Sequence, residues 1–379
     1  MSLYIKGGKV FLPTKELLYK TLVIEDRIIC DIIPPGYKPG SKDEVIDVTG
    51  RMVVPGFIDV HAHGAFGKDT VDGSWDAIYT MGRFFASHGV TSYLPTIGTF
   101  TPELIMKAIE NVVTCPQPED GARHLGIHIE GPYLNVEHRG AQQKDLIRKP
   151  DESEYKKWLG IEAVKLITIA PEVEKAVEFI DLGVEKNVEF AIGHSGASYE
   201  QVIEAANHGL KQATHLYNGM LGAHHRSPGT VGGILTDNRI FAQIIADGIH
   251  VHPAMVKLAV MAKGTSRIIL ITDSIRGAGM PDGKYDDYGQ KFTVKNGIAL
   301  TPEGGLAGST LMLDQAIKNM IEFTGMSLSE VLPMATSVPA QAMGWIEKRG
   351  ELKPGADADI TILNDDLIVE KTFILGREV

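Results

Sequence analysis

The sequence predicts an α/β protein: a closed (β/α)8 TIM-like barrel carrying a small β-sandwich domain built from both chain ends. Three observations predict it. Eight short apolar runs follow one another through the middle of the chain, amphipathic helical stretches separate most of them, and short β-rich runs broken by Gly and Pro fill the two ends. Five of the eight runs close on residues that bind metal or move protons: His61 and His63, then Glu130, His194, His215 and Asp273. In such a barrel the carboxyl ends of all strands open onto one face, so these scattered residues converge.

The apolar runs are 52–60, 91–97, 125–130, 164–170, 189–193, 212–215, 241–246 and 268–273. Apolar residues recur at helical spacing over 75–88, 102–113, 171–186, 199–208 and 253–262, and the last helices before the chain rejoins the β domain are expected over 313–324 and 327–335. Residues 1–51 alternate β-rich runs with turns, and the tail returns to that style with turn chemistry over 350–359 and strands over 360–363 and 372–375. Neither end alone buries much, which places 1–51 and 347–379 in one shared β domain and 52–346 in the barrel. The Gly- and Asp-rich segment 276–288 is expected to be a mobile loop.

The chain has 379 residues, 44% hydrophobic and 22% charged, which supports a large buried core. A formal net charge of -11 leaves no broad basic surface, so neither nucleic acid nor an anionic membrane is an expected partner, and an anionic substrate needs a local positive pocket. Two cysteines, Cys30 and Cys115, make neither a disulfide framework nor a zinc knuckle. The N-terminus runs straight into strand-like sequence without the features of a leader, and no apolar run approaches a membrane span; a cytoplasmic location is expected.

Strand periodicity puts Asp59, His61 and His63 on one face, so two imidazoles can grip one ion. A lone His-x-His is weak; its position after the run 53–58 carries the assignment. Glu130 follows Leu-Gly-Ile-His128-Ile, and a carboxylate there is costly unless paired with a cation or metal. His128 shares that face and is read as orienting other groups rather than ligating. His194 and His215 end consecutive strands and offer neutral lone pairs. Asp273 adds a carboxylate suited to acid and base work once a metal has activated water, with a helix N-cap as its plain structural alternative. The loop after His215 brings Asn218 and Arg226, the latter suited to phosphate, and His250 past the seventh strand is a second anion donor. The small-residue turn Leu306, Ala307, Gly308 allows close backbone approach to a ligand.

These motifs, Pro55-Gly-Phe-Ile-Asp-Val-His-Ala-His63-Gly, His128-Ile-Glu130-Gly-Pro, Gly193-His194-Ser, Thr214-His215-Leu-Tyr-Asn218, Thr272-Asp273 and the return Pro354-Gly-Ala-Asp-Ala-Asp359, resemble the amidohydrolase superfamily and, within it, the N-acetylglucosamine-6-phosphate deacetylase family. The resemblance implies a hydrolase acting on a linear amide, releasing acetate and glucosamine-6-phosphate. It implies a divalent metal, zinc first with iron, manganese or cobalt as alternatives, in one or two ions per subunit: Glu130, His194 and His215 hold the main ion, His61 and His63 a second. It further implies Asp273 as catalytic residue, substrate contacts at Ala141, Asn218, Gly219, Arg226, Asp247, His250 and Leu306 to Gly308, and a homodimer. Some relatives place His where this chain has Gln142, which can hydrogen-bond a sugar hydroxyl but carries no charge. The rival readings are the galactosamine epimer or another acylated amine or cyclic amide as substrate, and, more remotely, a non-catalytic ligand-binding barrel.

Overall fold

A computed structural model of the chain describes residues 2–379. Eight parallel strands form the barrel, labelled here β1 (Phe57–Ala62), β2 (Val90–Ile97), β3 (Ile127–Glu130), β4 (Val164–Ile169), β5 (Glu189–Ile192), β6 (Gln212–Ala213), β7 (Phe241–Ile244) and β8 (Ile268–Leu270). Each pairs with the next in parallel register from β1 to β8. The seam closes just beyond β8, where Ala62 bridges Ser274, Asp273 N donates to His61 O at 2.9 Å and His63 N to Ser274 O at 2.9 Å. Asp59 stitches the same seam: its carboxylate accepts from Thr272 Oγ1 at 2.5 Å and from His61 N at 3.2 Å, and burial lifts its pKa to about 6.

Helices pack outside the strands, and their ends follow capping chemistry. Thr101 accepts from Leu104 N with Pro102 in the first turn of Pro102–Thr114, and Ser198 with Gln201 forms a capping box on Tyr199–Asn207. Three helices carried no clear periodic signal: Glu152–Leu159, Gly229–Thr236 and Ser337–Ala342. In the second, Gly233 has room only for hydrogen, since a Cβ would stand 2.8 Å from Val202, so a poor helix former is retained for close packing.

The structure corrects three boundaries. The run 52–60 is two strands: Met52–Pro55 pairs antiparallel with Ile360–Leu363 and parallel with Lys9–Phe11, and only Phe57–Ala62 enters the barrel. Gly56 makes the crossing, where any side chain would sit 2.2 Å from Thr91. Apolar periodicity cannot mark such a break. The helix expected from 171 begins at Ala176, after turns that include Lys175 in the left-handed region at φ 68°. The segment expected to be a loop contains a strand, Gly283–Asp287, which joins Gln290–Lys295 and Ile298–Leu300 in a three-stranded antiparallel sheet. Its outward positions are polar, so only Phe292, Val294 and Ala299, packed with Tyr285 and Ile275, form a core.

Both chain ends meet in a two-sheet sandwich. One sheet runs Ile28–Ile33, Thr21–Glu25, Leu3–Lys6, Glu44–Asp47; the other has Arg377–Glu378, Val369–Ile374, Ile360–Leu363, Met52–Pro55, Lys9–Phe11 and Leu17–Tyr19. Ile5, Leu22 and Ile29 of the first interdigitate with Val10, Val53 and Phe373 of the second. Arg123, beside the barrel strands, bonds Asp357 at 3.0 Å and also Asp359, and Thr361 and Thr372 donate to Gly89 O and Ala86 O at 2.8 and 2.7 Å. The return motif therefore locks the sandwich to the barrel.

Candidate metal centre

The strand ends bring together all six expected residues. His61 and His63 leave β1 with Nε2 atoms 3.1 Å apart, and Asp273 Oδ1 stands 3.2 and 3.4 Å from them. Glu130 Oε1, at the end of β3, lies 2.9 Å from His215 Nε2 and 3.2 Å from His194 Nε2, which are 3.1 Å from each other. The other oxygen, Oε2, is 3.3 Å from His63 Nε2. Two triads, His61–His63–Asp273 and Glu130–His194–His215, thus share the Glu130 carboxylate between them.

The donor set fits divalent metal. Lone pairs of buried imidazoles aimed at one another repel, whereas ligands around one zinc ion at about 2.0 Å stand about 3.3 Å apart, close to the spacing here. A backbone cost points the same way: His194, His215 and Asp273 hold φ of 47°, 31° and 49°, a region non-Gly residues avoid unless their surroundings enforce it. The electrostatics agree with a shared positive demand. Burial alone would raise Glu130, yet His61, His194, His215 and His63 hold it well below the carboxylate range. Burial would lower His63, and its contacts to Asp273 and Glu130 reverse that. His128, buried edge-on against His61 at 4.6 Å between ring centroids, is pushed well below its usual value by burial and by His61, and stays a neutral imidazole bonded to Thr168 Oγ1 at 2.8 Å.

A cavity of about 480 Å³ opens over the centre. His63, Glu130, His194, His215 and Asp273 line it, as do the expected substrate positions Ala141, Gln142, Asn218, Gly219, His250 and Leu306 to Gly308; His61 lies beneath, fully buried. Gly219 sits at φ 60° with a Cβ position 2.8 Å from both His194 Nδ1 and His138 O, so that glycine is required by the packing of the His194 ring. Two expected contacts stand elsewhere. Asp247 lines a neighbouring hollow of about 350 Å³ and accepts from His250 Nδ1 at 2.6 Å, leaving His250 Nε2 for a ligand. Arg226 is exposed outside the cavity, its Nη1 2.7 Å from His225 Nε2. Gln142 is engaged within the protein: Nε2 donates to Glu130 Oε2 at 2.7 Å and Oε1 accepts from Thr99 N at 2.9 Å.

Other wall residues were not singled out from sequence. Phe100, Ile275 and Phe292 make it partly apolar, and Lys291 is the one Lys or Arg in it among the described residues. The three-stranded sheet supplies Asp287 and Gly289 to Phe292 and is pinned to the barrel by Arg276, whose guanidinium bonds Asp287 Oδ1 at 2.5 Å and Asp72 Oδ1 at 2.8 Å. Burial and the neighbouring Asp287 push Asp69 well above the carboxylate range beneath that contact. The alternation Tyr285, Asp287 against Gln290, Phe292 was the available signal for this hairpin.

A barrel whose strand ends carry a His-x-His pair, a shared carboxylate, two further histidines and an aspartate defines a metal-dependent hydrolase of amide bonds, and this chain belongs to the amidohydrolase family, whose sequence profile matches residues 52–379. Its full-length relatives are narrower in kind. It is 37% identical to N-acetylglucosamine-6-phosphate deacetylase of Bacillus subtilis (strain 168), over 99% of this chain and 96% of that one. It is 36% identical to N-acetylgalactosamine-6-phosphate deacetylase of Escherichia coli O157:H7, over 94% and 93%. In structure it matches N-acetylglucosamine-6-phosphate deacetylase from Pasteurella multocida with a TM-score of 0.94 at 30% identity, each chain covered completely. A Mycobacterium smegmatis deacetylase variant in complex with N-acetyl-D-glucosamine-6-phosphate matches at 0.90 and 30%, covering 100% of this chain and 98% of that one.

Proposed function

We propose that this protein hydrolyses the acetamido group of N-acetylglucosamine-6-phosphate, releasing acetate and glucosamine-6-phosphate. The observation that carries the reading is the pair of triads sharing Glu130 at the floor of a sugar-sized cavity. Glu130, His194 and His215 would hold one divalent ion and His61 and His63 a second, with zinc suited to the N and O donors. Bound there, such an ion polarises an amide carbonyl and acidifies water. Asp273 lines the cavity with its carboxylate held below the ordinary range by His61 and His63 against burial, so it is ionised, ready to take a proton from water and pass it to the leaving nitrogen. Because Asp273 also shares a triad with His61 and His63, it can ligate as well. His250, with Nδ1 fixed by Asp247, offers Nε2 to the phosphate, and Ala141, Asn218, Gly219 and the Leu306 to Gly308 turn border the sugar. Gln142, engaged at both ends by Glu130 and Thr99, would steady the shared carboxylate instead of a sugar hydroxyl.

The galactosamine epimer is the second reading, favoured by the Escherichia coli relative. Arg226 stands outside its own cavity, so a role at the phosphate requires its loop to move or a second copy to present it. We propose a homodimer, supported by the outward face of Pro253–Lys263, where Met255, Leu258 and Met261 are exposed at helical spacing. No helix among the described residues is long and apolar enough to cross a membrane, and the two cysteines are free, in keeping with a cytoplasmic enzyme.

Acetate release from N-acetylglucosamine-6-phosphate, its galactosamine epimer and the unphosphorylated sugar tests the reading. Fast turnover requiring the phosphate is expected. No turnover on any of them by metal-replete protein removes the sugar-phosphate assignment and leaves the hydrolase barrel.

A further inference from the structure

Glu172 lies in the turn after β4, outside the cavity wall, yet donors from two loops converge on its carboxylate. Ser195 Oγ donates to Oε2 at 2.7 Å, Gly196 N to Oε1 at 2.5 Å and Asn135 Nδ2 to Oε1 at 2.9 Å. Ser195 and Gly196 follow the metal ligand His194 directly. Asn135 opens the turn that ends at His138, whose carbonyl accepts from His194 Nδ1 at 3.0 Å. The two loops also meet directly, with Asn135 N donating to His194 O at 3.0 Å. Glu172 is therefore the node that ties the loop carrying His194 to the turn carrying its acceptor.

That acceptor decides the tautomer. A proton on Nδ1 given to His138 O leaves the Nε2 lone pair for the metal side. The other ligands lack this device: among the described residues His61 Nδ1 and His215 Nδ1 have no hydrogen-bond partner. His194 also sits at positive φ, a conformation that lasts only where surroundings enforce it.

We infer that Glu172 is a positioning residue of the metal centre: by clamping the Asn135–His138 turn to Ser195 and Gly196 it fixes the ring of His194 for ligation. The inference rests on Glu130, His194 and His215 being metal ligands.

The test measures zinc affinity by chelator competition for the wild type, Glu172→Ala, Glu172→Gln and Ser195→Ala, with the His194 Nδ1–H resonance followed in the metal-free protein. Loss of about 10- to 100-fold in affinity is expected for Glu172→Ala, the usual cost of removing support behind a ligand. Weakening or loss of the protected Nδ1–H signal should accompany it. Glu172→Gln keeps Oε1 for Asn135 and Gly196 and should recover most of the affinity. Zinc affinity within about twofold of wild type in Glu172→Ala, whatever its melting temperature, overturns the inference. If Glu172→Ala does not fold, Asn135→Ala decides, because it cuts the turn loose from Glu172 while leaving Ser195 and Gly196 in place, and wild-type affinity there overturns it equally. The readout uses no substrate, so failure of the deacetylase reading would show separately, as metal-loaded protein that releases no acetate.

Discussion

Gln142 donates to Glu130 Oε2 at 2.7 Å, on the carboxylate oxygen that faces His63 rather than on the one shared by His194 and His215. A residue expected at the sugar thus holds the carboxylate that the two triads share, and Thr99 N holds Gln142 in turn. Replacing it with Leu keeps the volume and removes the donor. The expected result is a fall of about tenfold or more in kcat and weaker occupancy of the second ion, with KM nearly unchanged; metal analysis with steady-state kinetics checks it. A change in KM alone would return Gln142 to the sugar.

Asp273→Asn removes the ionised carboxylate from the cavity and keeps its shape. The folded, metal-containing variant is expected to lose at least about 100-fold in turnover, the scale of general acid and base catalysis. Rates near wild type, with metal content measured on the same sample, would take Asp273 out of the proton path.

His250 is fixed through Asp247, so the two should behave as one contact. His250→Ala and Asp247→Ala are each expected to raise KM for the phosphorylated substrate, and the double variant to add little to His250→Ala. Full additivity in the cycle would separate them.

Lys263 gives a pH signature far from the centre. Its Nζ donates to Ile234 O and Asp237 O at the end of Gly229–Thr236, and burial lowers its pKa to about 8. A lysine depressed in the fold binds its proton less tightly there than when unfolded, so its contribution to stability rises as pH climbs from about 8 toward its ordinary value near 10.5 and is lost as pH falls back through 8. The gap in unfolding free energy between wild type and Lys263→Met should widen over that window, by on the order of 1 kcal/mol once solvent screening is allowed for. Parallel denaturation curves at pH 7 and 9.5 would show that the ammonium titrates normally.

Chelation should lower the melting temperature, because an ion bound only by the folded chain stabilises it by about 4 kcal/mol at a thousandfold excess over Kd. Zinc titrated back should restore the loss, in two steps if both triads fill independently. Calorimetry across the titration measures this.

Much of the centre was legible because residues of the right type stand at the ends of apolar runs, and parallel strands leave no choice about which face those ends share. His61, His63, Glu130, His194, His215 and Asp273 needed no knowledge of loops. Substrate positions expected on loops fared unevenly: Asn218 and Gly219 reach the cavity, whereas Arg226, eight residues after Asn218, is carried out of it. The strand Gly283–Asp287 was missed because Tyr285 is the one apolar side chain it contributes to its small core, and a mostly polar strand resembles a loop in composition.

The sequence alone determined the fold class, the shared face and the six residues that gather on it, since period, strand ends and residue chemistry are local properties. Tertiary structure decided which oxygen of Glu130 meets Gln142, that Glu172 supports His194, that Met52–Pro55 belongs to the sandwich and that Arg226 faces solvent. Each of these depends on loops bringing together residues distant in the chain, and the course of a loop follows from packing that no local pattern records.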